Sequence, residues 1–405
     1  MLRRGGYANK ISYRIGNWPI LKPKSPEVQR IWIQAVSVGE LASLSKLLKF
    51  LLADPEVEIV LSGTTSTGLK LIEERYGNQV LAQGPFPLDW MPFVRKAWKR
   101  IKPDLVIVVD SELWPEHFYH ANARGIPLLI INARLSDRSF ARLKKFSLFR
   151  SLLIPKSINI LAASERQRSR WIELGVGTEK VQKSGNLKID ALDFKSLQSD
   201  DSKNLRSQFG FNSNSIVLTG ISTWAGEEKM LIEITQVLRL ENYDVRLLLV
   251  PRHAERRIEI RKTLELCQIP YHLRSATPQA PKGTVVYLAD TTGELVSLMQ
   301  GSDLAFLGKT LPSHQGGQNP IEPIASGIPL VIGPCYQNFQ ETCSDIFHNQ
   351  AAIRTDSKSD VIAQILRLVR EPEKREELKR ATSSWMEQQG SPTDYTFKVI
   401  RQLIG

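Results

Sequence analysis

The sequence predicts an α/β protein made of two doubly wound parallel sheets in tandem. Three observations carry this. Short apolar runs alternate with helical patterns along the first half, a polar stretch interrupts the alternation near residue 200, and the alternation then starts afresh. With 405 residues and 42% hydrophobic content, the chain is long enough for two domains, each burying its own core.

In the first half, strands are expected at Ile31–Val36, Val57–Ser62, Asp104–Val109, Pro127–Asn132 and Ile158–Ala163. Helical runs such as Leu69–Tyr76 and Met91–Arg100 lie between them. The run Ile31-Trp-Ile-Gln-Ala-Val-Ser-Val-Gly-Glu40 ends its strand on a carboxylate. An amphipathic helix opens behind it, with Leu41, Leu44, Leu47, Leu48, Leu51 and Leu52 on one face. The polar stretch Phe194–Lys203 reads as a linker. Beyond it, strands are expected at Ile216–Gly220, Val245–Val250, Val285–Leu288, Leu304–Leu307 and Pro329–Ile332, with a helix over Glu227–Leu240. The domain reading is therefore 1–195, a linker at 196–203, 204–388, and a final segment, 389–405. The helix around Tyr395–Ile404 in that segment is expected to cross back to the first domain.

The formal charge is +12 and the pI is near 9.5. The excess is concentrated in the first half. Arg3, Arg4, Lys10, Arg14, Lys22, Lys24 and Arg30 face Glu27 alone. Arg95, Lys96, Lys99, Arg100 and Lys102 form a second cluster. Arg138, Arg142, Lys144, Lys145, Arg150, Lys156, Arg166, Arg168 and Arg170 face Glu165 alone. Such a surface suits phosphorylated lipid, anionic membrane or nucleic acid. Cys267, Cys335 and Cys343 are scattered without paired spacing, which argues against a disulfide framework and a zinc site and fits a reducing, cytoplasmic compartment. The sequence contains no transmembrane run of about 20 apolar residues and no signal peptide. Membrane contact is thus expected to be peripheral. GxGxxG and the P-loop pattern are lacking, so NAD and P-loop NTPase readings lose their usual support.

Several strand ends carry chemistry. In open α/β sheets, ligands bind outside the carboxyl ends of the strands. Glu40 sits at such an end and suits a general base; the plainer reading is a carboxylate complementing a helix dipole. Thr65 and Ser66 in Ser62-Gly-Thr-Thr-Ser-Thr-Gly68, Glu112 in Asp110-Ser-Glu-Leu-Trp-Pro115, and Arg134 in Asn132-Ala-Arg-Leu-Ser-Asp-Arg138 also follow strands. In the second half, Ser222 and Thr223 in Gly220-Ile-Ser-Thr-Trp-Ala-Gly-Glu-Glu228 suit a phosphate at a helix start, or plain N-capping. Arg252 and His253 come directly off a strand, where an arginine can neutralise phosphate charge. Asp290-Thr-Thr-Gly-Glu-Leu295 places a turn before an apolar helix. In His314-Gln-Gly-Gly-Gln-Asn-Pro-Ile-Glu-Pro323, Gly316 and Gly317 allow close backbone approach, and Glu322 suits the two hydroxyls of a ribose.

Taken together, Ala35-Val-Ser-Val-Gly-Glu40, Thr64-Thr-Ser-Thr-Gly68, Ser111-Glu-Leu-Trp-Pro115, Asn132-Ala-Arg-Leu-Ser136, Gly185-Asn-Leu-Lys188, Pro251-Arg-His253, Thr292-Gly-Glu-Leu295 and Gly316-Gly-Gln-Asn-Pro-Ile-Glu322 resemble the Kdo (3-deoxy-D-manno-octulosonic acid) transferases of lipopolysaccharide synthesis. The motifs run in family order from about residue 5 to about residue 345. The resemblance implies a GT-B fold, with two Rossmann-like domains facing a cleft. It also implies CMP-Kdo as donor and a phosphorylated lipid A precursor as acceptor at the inner face of the cytoplasmic membrane. No metal or other cofactor and no nucleic acid partner are expected. Members typically open on an apolar anchoring helix; this sequence starts near Arg3-Arg-Gly-Gly-Tyr7, just past where that helix would end, so the expectation is either an absent anchor or a truncated start.

Three departures stand out. The family's Ser-Thr-His-Glu-Gly-Glu-Glu reads Ser222-Thr-Trp-Ala-Gly-Glu-Glu228, and its Gly-Gly-His-Asn-Pro reads Gly316-Gly-Gln-Asn-Pro320. The usual Gly-Gly-Ser turn reads Gly308-Lys-Thr310. Gln318 keeps a hydrogen bond but carries no charge near neutral pH. On this resemblance Glu40 is the base of an inverting transfer. Lys188, Ser222, Thr223, Arg252, His253, Thr292, Gly293, Glu294, Leu295, Gly316, Gly317, Asn319 and Glu322 lie on the donor side. Thr65, Ser66, Glu112 and Arg134 lie on the acceptor side. The alternatives are a GT-B relative using another nucleotide sugar, and a non-catalytic protein binding anionic surfaces.

Overall fold

The computed structural model describes residues 10–110, 112–145, 153–155, 158–190 and 202–405. Arg3, Arg4, Tyr7, Ser111, Arg150, Lys156 and most of the expected linker lie outside the described residues. The chain forms two compact units, Met1–Ala191 with Gln389–Gly405, and Leu192–Gln388.

The first unit holds seven strands: β1 (Gln29–Gln34), β2 (Val57–Gly63), β3 (Ala82–Pro85), β4 (Leu105–Val109), β5 (Leu128–Ala133), β6 (Ile158–Ala162) and β7 (Val181–Lys183). They pair in parallel in the order β3-β2-β1-β4-β5-β6-β7. Strand alternation sorts the core onto two faces. Trp32 joins Trp18, Phe86, Trp98, Phe118 and Trp171 on one. Ile31 and Ile33 join Leu41, Leu44, Leu47, Leu48 and Leu51 on the other. The single helix expected behind Glu40 is two, Val38–Ser43 and Ser45–Ala53, which meet at Leu44. The leucines still face the core because both pieces keep helical spacing; Leu52 is only half-buried.

The helix Pro392–Ile404 belongs to this first unit. Asp190 Oδ2 accepts from the Thr393 N–H at 2.6 Å, Phe397 meets Phe50 at 5.8 Å between ring centroids, and Arg401 pairs with Asp54 at 3.0 Å.

The second unit holds β8 (Ile216–Thr223), β9 (Val245–Pro251), β10 (Tyr271–Leu273), β11 (Val286–Leu288), β12 (Leu304–Leu307), β13 (Leu330–Ile332) and β14 (Ile353–Arg354). Their order is β10-β11-β9-β8-β12-β13-β14, again all parallel. A helix at Ser202–Gln208 takes up the last two residues of the expected linker, because Leu205 packs beside Phe209 and Arg206 pairs with Asp303 at 2.9 Å. Each sheet reverses its winding once, between β1 and β4 in the first and between β8 and β12 in the second. At such a point the connections leave in opposite directions and open a crevice at the strands' carboxyl ends.

Candidate active site

Glu40 sits at the first switch point. Ser37 caps the Val38–Ser43 helix, its hydroxyl accepting from the Glu40 N–H at 3.4 Å. The Glu40 carboxylate reaches back and accepts from the Val36 N–H at 2.6 Å and the Ser37 hydroxyl at 3.1 Å. This is a variant of the capping box, its glutamate at the third helical position taking the N–H of the residue before the cap. The plain reading of Glu40 as a helix-start carboxylate is therefore part of the answer. The rest is electrostatic. Burial raises its pKa from 4.5 to about 7; the Val36 N–H opposes this, and the charges of Asp110 and Glu112 add to it.

Asp110 and Glu112 arrive from β4, the neighbour of β1 across the switch point. Asp110 has a left-handed backbone (φ +61°) and accepts from Asn132 Nδ2 at 2.5 Å. Burial, then Asp110, raises the Glu112 pKa. Asn132 is buried, with φ +51°, and its Oδ1 accepts from the Leu187 N–H at 3.2 Å. One asparagine thus ties the end of β4 to the segment that carries Lys188. Thr65 caps the Ser66–Tyr76 helix, accepting from the Gly68 N–H at 3.1 Å, and its own N–H donates to the Val36 carbonyl at 3.1 Å. The hydroxyl of Thr65 is thus engaged, while Ser66 is half-buried in the first turn. Arg134 is half-buried in the loop after β5. Trp114 packs at 5.1 Å against Phe86, a core role.

At the second switch point the geometry is a clasp. Glu227, fully buried, accepts through Oε2 from the Trp224 N–H at 2.8 Å after β8 and from the Lys309 N–H at 3.0 Å after β12. Burial raises its pKa from 4.5 to about 7. Neither Ser222 nor Thr223 caps the Glu227–Leu240 helix, which starts at Gly226 without a side-chain cap. Ser222 instead adopts φ +51°, and the Thr223 carbonyl accepts from the Arg252 N–H at 3.1 Å. The N-capping expected of them fails because Glu227 reaches back and occupies the Trp224 amide itself. Arg252 and His253 are exposed beyond β9.

Gly316 (φ +121°) and Gly317 (φ +76°) are left-handed. The Gly317 N–H donates to the Lys309 carbonyl at 2.9 Å, and a Cβ on Gly316 would lie 2.6 Å from Asn338 Nδ2. Asn319 Nδ2 donates to Glu322 Oε1 at 3.2 Å, and its Oδ1 accepts from the Ile321 N–H at 3.2 Å. After β11, Glu294 is held by Arg274 at 2.5 Å and by the Thr291 hydroxyl at 2.5 Å, which brings its pKa down to about 2. Its carboxylate is thus already engaged. Thr292 and Gly293 lie in the same turn, and Leu295 opens the four-residue helix that follows, Leu295–Leu298.

In the first unit the structure brings Glu40 together with Asp110 and Glu112; in the second it ties the loops after β8 and β12 to each other through Glu227, while Arg134 and the Thr292–Leu295 turn follow β5 and β11, away from the reversals. Sequence reasoning missed Asp110 and Glu227. Asp110 was visible as the acid closing the apolar run of β4. Glu227 read only as a first-turn glutamate.

Two tandem doubly wound parallel sheets, each with its loops at the carboxyl ends of its strands, give an α/β fold of the GT-B type. Comparison with known proteins narrows this. Residues 9–191 match the family model described as 3-deoxy-D-manno-octulosonic-acid transferase (kdotransferase). The 3-deoxy-D-manno-octulosonic acid transferase of Haemophilus influenzae is 31% identical over 379 residues, covering 93% of this chain and 87% of that protein. The protein of that name from Bordetella pertussis is 26% identical over 409 residues, covering 96% and 93%. The chain belongs to the 3-deoxy-D-manno-octulosonic acid transferase family. Among solved structures, the UDP-GlcNAc 2-epimerase of Neisseria meningitidis shares the fold at 14% identity, with a TM-score of 0.61 over 93% of this chain and 99% of that one.

Proposed function

We propose that the protein transfers Kdo from CMP-Kdo to a sugar hydroxyl of a phosphorylated lipid A precursor, with inversion at the anomeric carbon. The observation that carries this is Glu40, whose pKa is raised to about 7 at the strand end where the fold places ligands. A base is most effective when its pKa lies near the working pH. Family membership supports the sugar transferred, and the basic first half supports an anionic acceptor.

In the proposed reaction the acceptor hydroxyl oxygen attacks the anomeric carbon and its proton passes to Glu40. The bond from that carbon to the phosphate oxygen breaks, through a transition state with oxocarbenium character. CMP leaves as an anion, and Arg252 neutralises it with help from the Gly316 amide and the amides of the Thr292–Gly293 turn, a route that requires no metal. Asn319 and Glu322 hold the ribose, and Lys188 suits the Kdo carboxylate. Ser222, Thr223, His253 and the Thr292–Leu295 turn complete the donor side. Thr65, Ser66, Glu112 and Arg134 line the acceptor side. The acceptor is a membrane lipid, so the protein works peripherally at the inner face of the cytoplasmic membrane. Among the described residues no helix is long and apolar enough to cross a membrane.

The test is to incubate the protein with CMP-Kdo and a lipid A precursor, following CMP release and lipid mass beside Glu40→Gln. A Kdo-sized gain in mass that falls by about 10²- to 10⁴-fold in rate in the variant is expected. Nucleotide binding without lipid modification would overturn the acceptor assignment. An absence of nucleotide binding would overturn the transferase reading itself.

A further inference from the structure

The loop after β12 carries a side chain to which the proposed mechanism gives no role. Lys309 has φ +61°, a left-handed conformation that disfavours any residue with a Cβ. Its backbone is fixed from both sides. The N–H donates to Glu227 at 3.0 Å, and the carbonyl accepts from the Gly317 N–H at 2.9 Å. The preceding Gly308 approaches β8 so closely that a Cβ there would lie 2.2 Å from the Ser222 carbonyl oxygen. Strain held in place by its surroundings in this way is a feature of functional loops.

That backbone delivers the ammonium to one place. Lys309 Nζ lies 4.6 Å from the centroid of the Trp224 ring. Among the described residues no carboxylate comes within salt-bridge distance of it, although the side chain is only half exposed. Trp224 is itself pinned through its N–H to the same Glu227 oxygen, and His253 and His314 flank its ring at 5.4 and 5.3 Å. Next to it, the fully buried Thr223 has a hydroxyl with no hydrogen-bond partner among the described residues. The indole face attracts a cation but cannot neutralise it. The result is a positive charge held in position at the switch point of the second sheet, with no carboxylate paired to it among the described residues.

We infer that Lys309, seated on Trp224, is a further cation, beside Arg252 and Lys188, that receives the donor's anionic group, either the nucleotide phosphate or the sugar carboxylate. This deepens the donor reading above and rests on it. Lys309 is then a binding residue, and Trp224 positions it.

The test measures CMP and cytidine binding by titration calorimetry, and the KM for CMP-Kdo, in wild type, Lys309→Met, Lys309→Arg and Trp224→Phe. Losing one charge-assisted contact lowers affinity by about 10- to 100-fold. A loss of that size for CMP in Lys309→Met, with cytidine unchanged and recovery in Lys309→Arg, assigns Lys309 to the phosphate. Unchanged CMP binding with a KM for CMP-Kdo raised by the same factor assigns it to the sugar carboxylate. Trp224→Phe keeps an aromatic seat and is expected to stay within about threefold of wild type. If CMP and CMP-Kdo parameters are untouched in Lys309→Met, the inference falls. It falls equally if Met and Arg variants lose affinity together along with thermal stability, which marks a packing role. A wild-type protein that binds no CMP overturns the donor reading as well, and so separates the two failures.

Discussion

Glu40 does two things that pull against each other. Its carboxylate closes a capping box, which favours the ionised form, while burial and the charges of Asp110 and Glu112 favour the neutral one. Burial dominates, and the group titrates at about 7. A base must be ionised to act, so kcat/KM is expected to fall as pH drops through 7, on a single-proton limb. Asp110→Asn removes one like charge and is expected to move that limb to lower pH; a pH–rate profile of both proteins measures it, and an unmoved limb would exclude Asp110 as a perturber. The same shift affects folding in the opposite sense. The folded pKa of this acid lies above its unfolded value of 4.5, so the folded state holds the proton more tightly and stability falls as pH rises from 4.5 to about 7. Glu40→Gln is therefore expected to gain stability relative to wild type across that window, by roughly 1 kcal/mol once partial exposure is discounted. Urea unfolding at pH 5 and pH 8 checks it. Glu40 was legible in the sequence because strand, carboxylate and helix are contiguous. Asp110 was visible as an acid closing an apolar run, but its effect on Glu40 was not, because their closeness comes from β4 lying beside β1, a pairing between segments far apart in the chain.

The sheets show the same division between local and distant information. The central strands read as continuous apolar runs because both of their faces are covered, as for β4, Leu105–Val109, buried throughout. The strands the sequence did not betray are short and lie toward the edges: β3 (Ala-Gln-Gly-Pro), β7 (Val-Gln-Lys), β10 (Tyr-His-Leu) and β14 (Ile-Arg). An edge strand is specified by one neighbour, and its own residues are free to be polar. The switch-point loops in the second unit depend on contacts of the same long range. Gly308 must lack a side chain because β8 passes over it, and Gly308→Ala is expected to cost more than about 2 kcal/mol, since the new carbon meets backbone that cannot move aside. A denaturant midpoint equal to wild type would show that the loop yields. Glu227 holds the same two loops together from inside the helix. Its raised pKa makes folding weaker as pH rises from 4.5 to about 7, on the order of 3 kcal/mol for a fully buried group. Glu227→Gln cannot ionise, so its stability relative to wild type is expected to improve steadily across that window. A difference that does not change with pH would mean that Glu227 stays charged.

At the scale of the molecule, the net charge of +12 is a poor guide to where an anionic partner would sit. Many of the basic side chains in the first half are tied down by the fold. Arg30 is buried on Glu58 at 2.9 Å, Lys24 is paired with Asp104, Arg166 and Arg170 share Asp137, Lys144 meets Glu173, and Arg100 donates to the Trp18 carbonyl. What is left exposed is more specific. The Met91–Ile101 helix buries Val94, Ala97, Trp98 and Ile101 and presents Arg95, Lys96 and Lys99 outward. At its start Leu88, Trp90 and Met91 are exposed, and so are Ile11, Ile15 and Ile20 in the segment that packs alongside, where the Leu88 N–H donates to the Arg14 carbonyl at 2.9 Å. Apolar side chains that include a tryptophan, beside lysines and arginines, are what a peripheral protein needs to enter the headgroup region of an anionic bilayer. The proposed lipid acceptor requires such an approach. Vesicles containing anionic phospholipid are therefore expected to bind the protein more tightly than neutral vesicles, and the advantage should shrink as salt rises. Lys96→Glu with Lys99→Glu reverses two charges at once, and at about 1 kcal/mol for each charge lost it should weaken binding by at least 30-fold at low salt. Trp90→Ala should weaken it at both low and high salt, because its contribution is apolar and salt does not screen it. If both variants sediment with anionic vesicles like wild type, this face is not the one that meets the lipid, and the exposed helix Asp137–Lys145, with Arg138, Arg142 and Lys145, is the next surface to reverse.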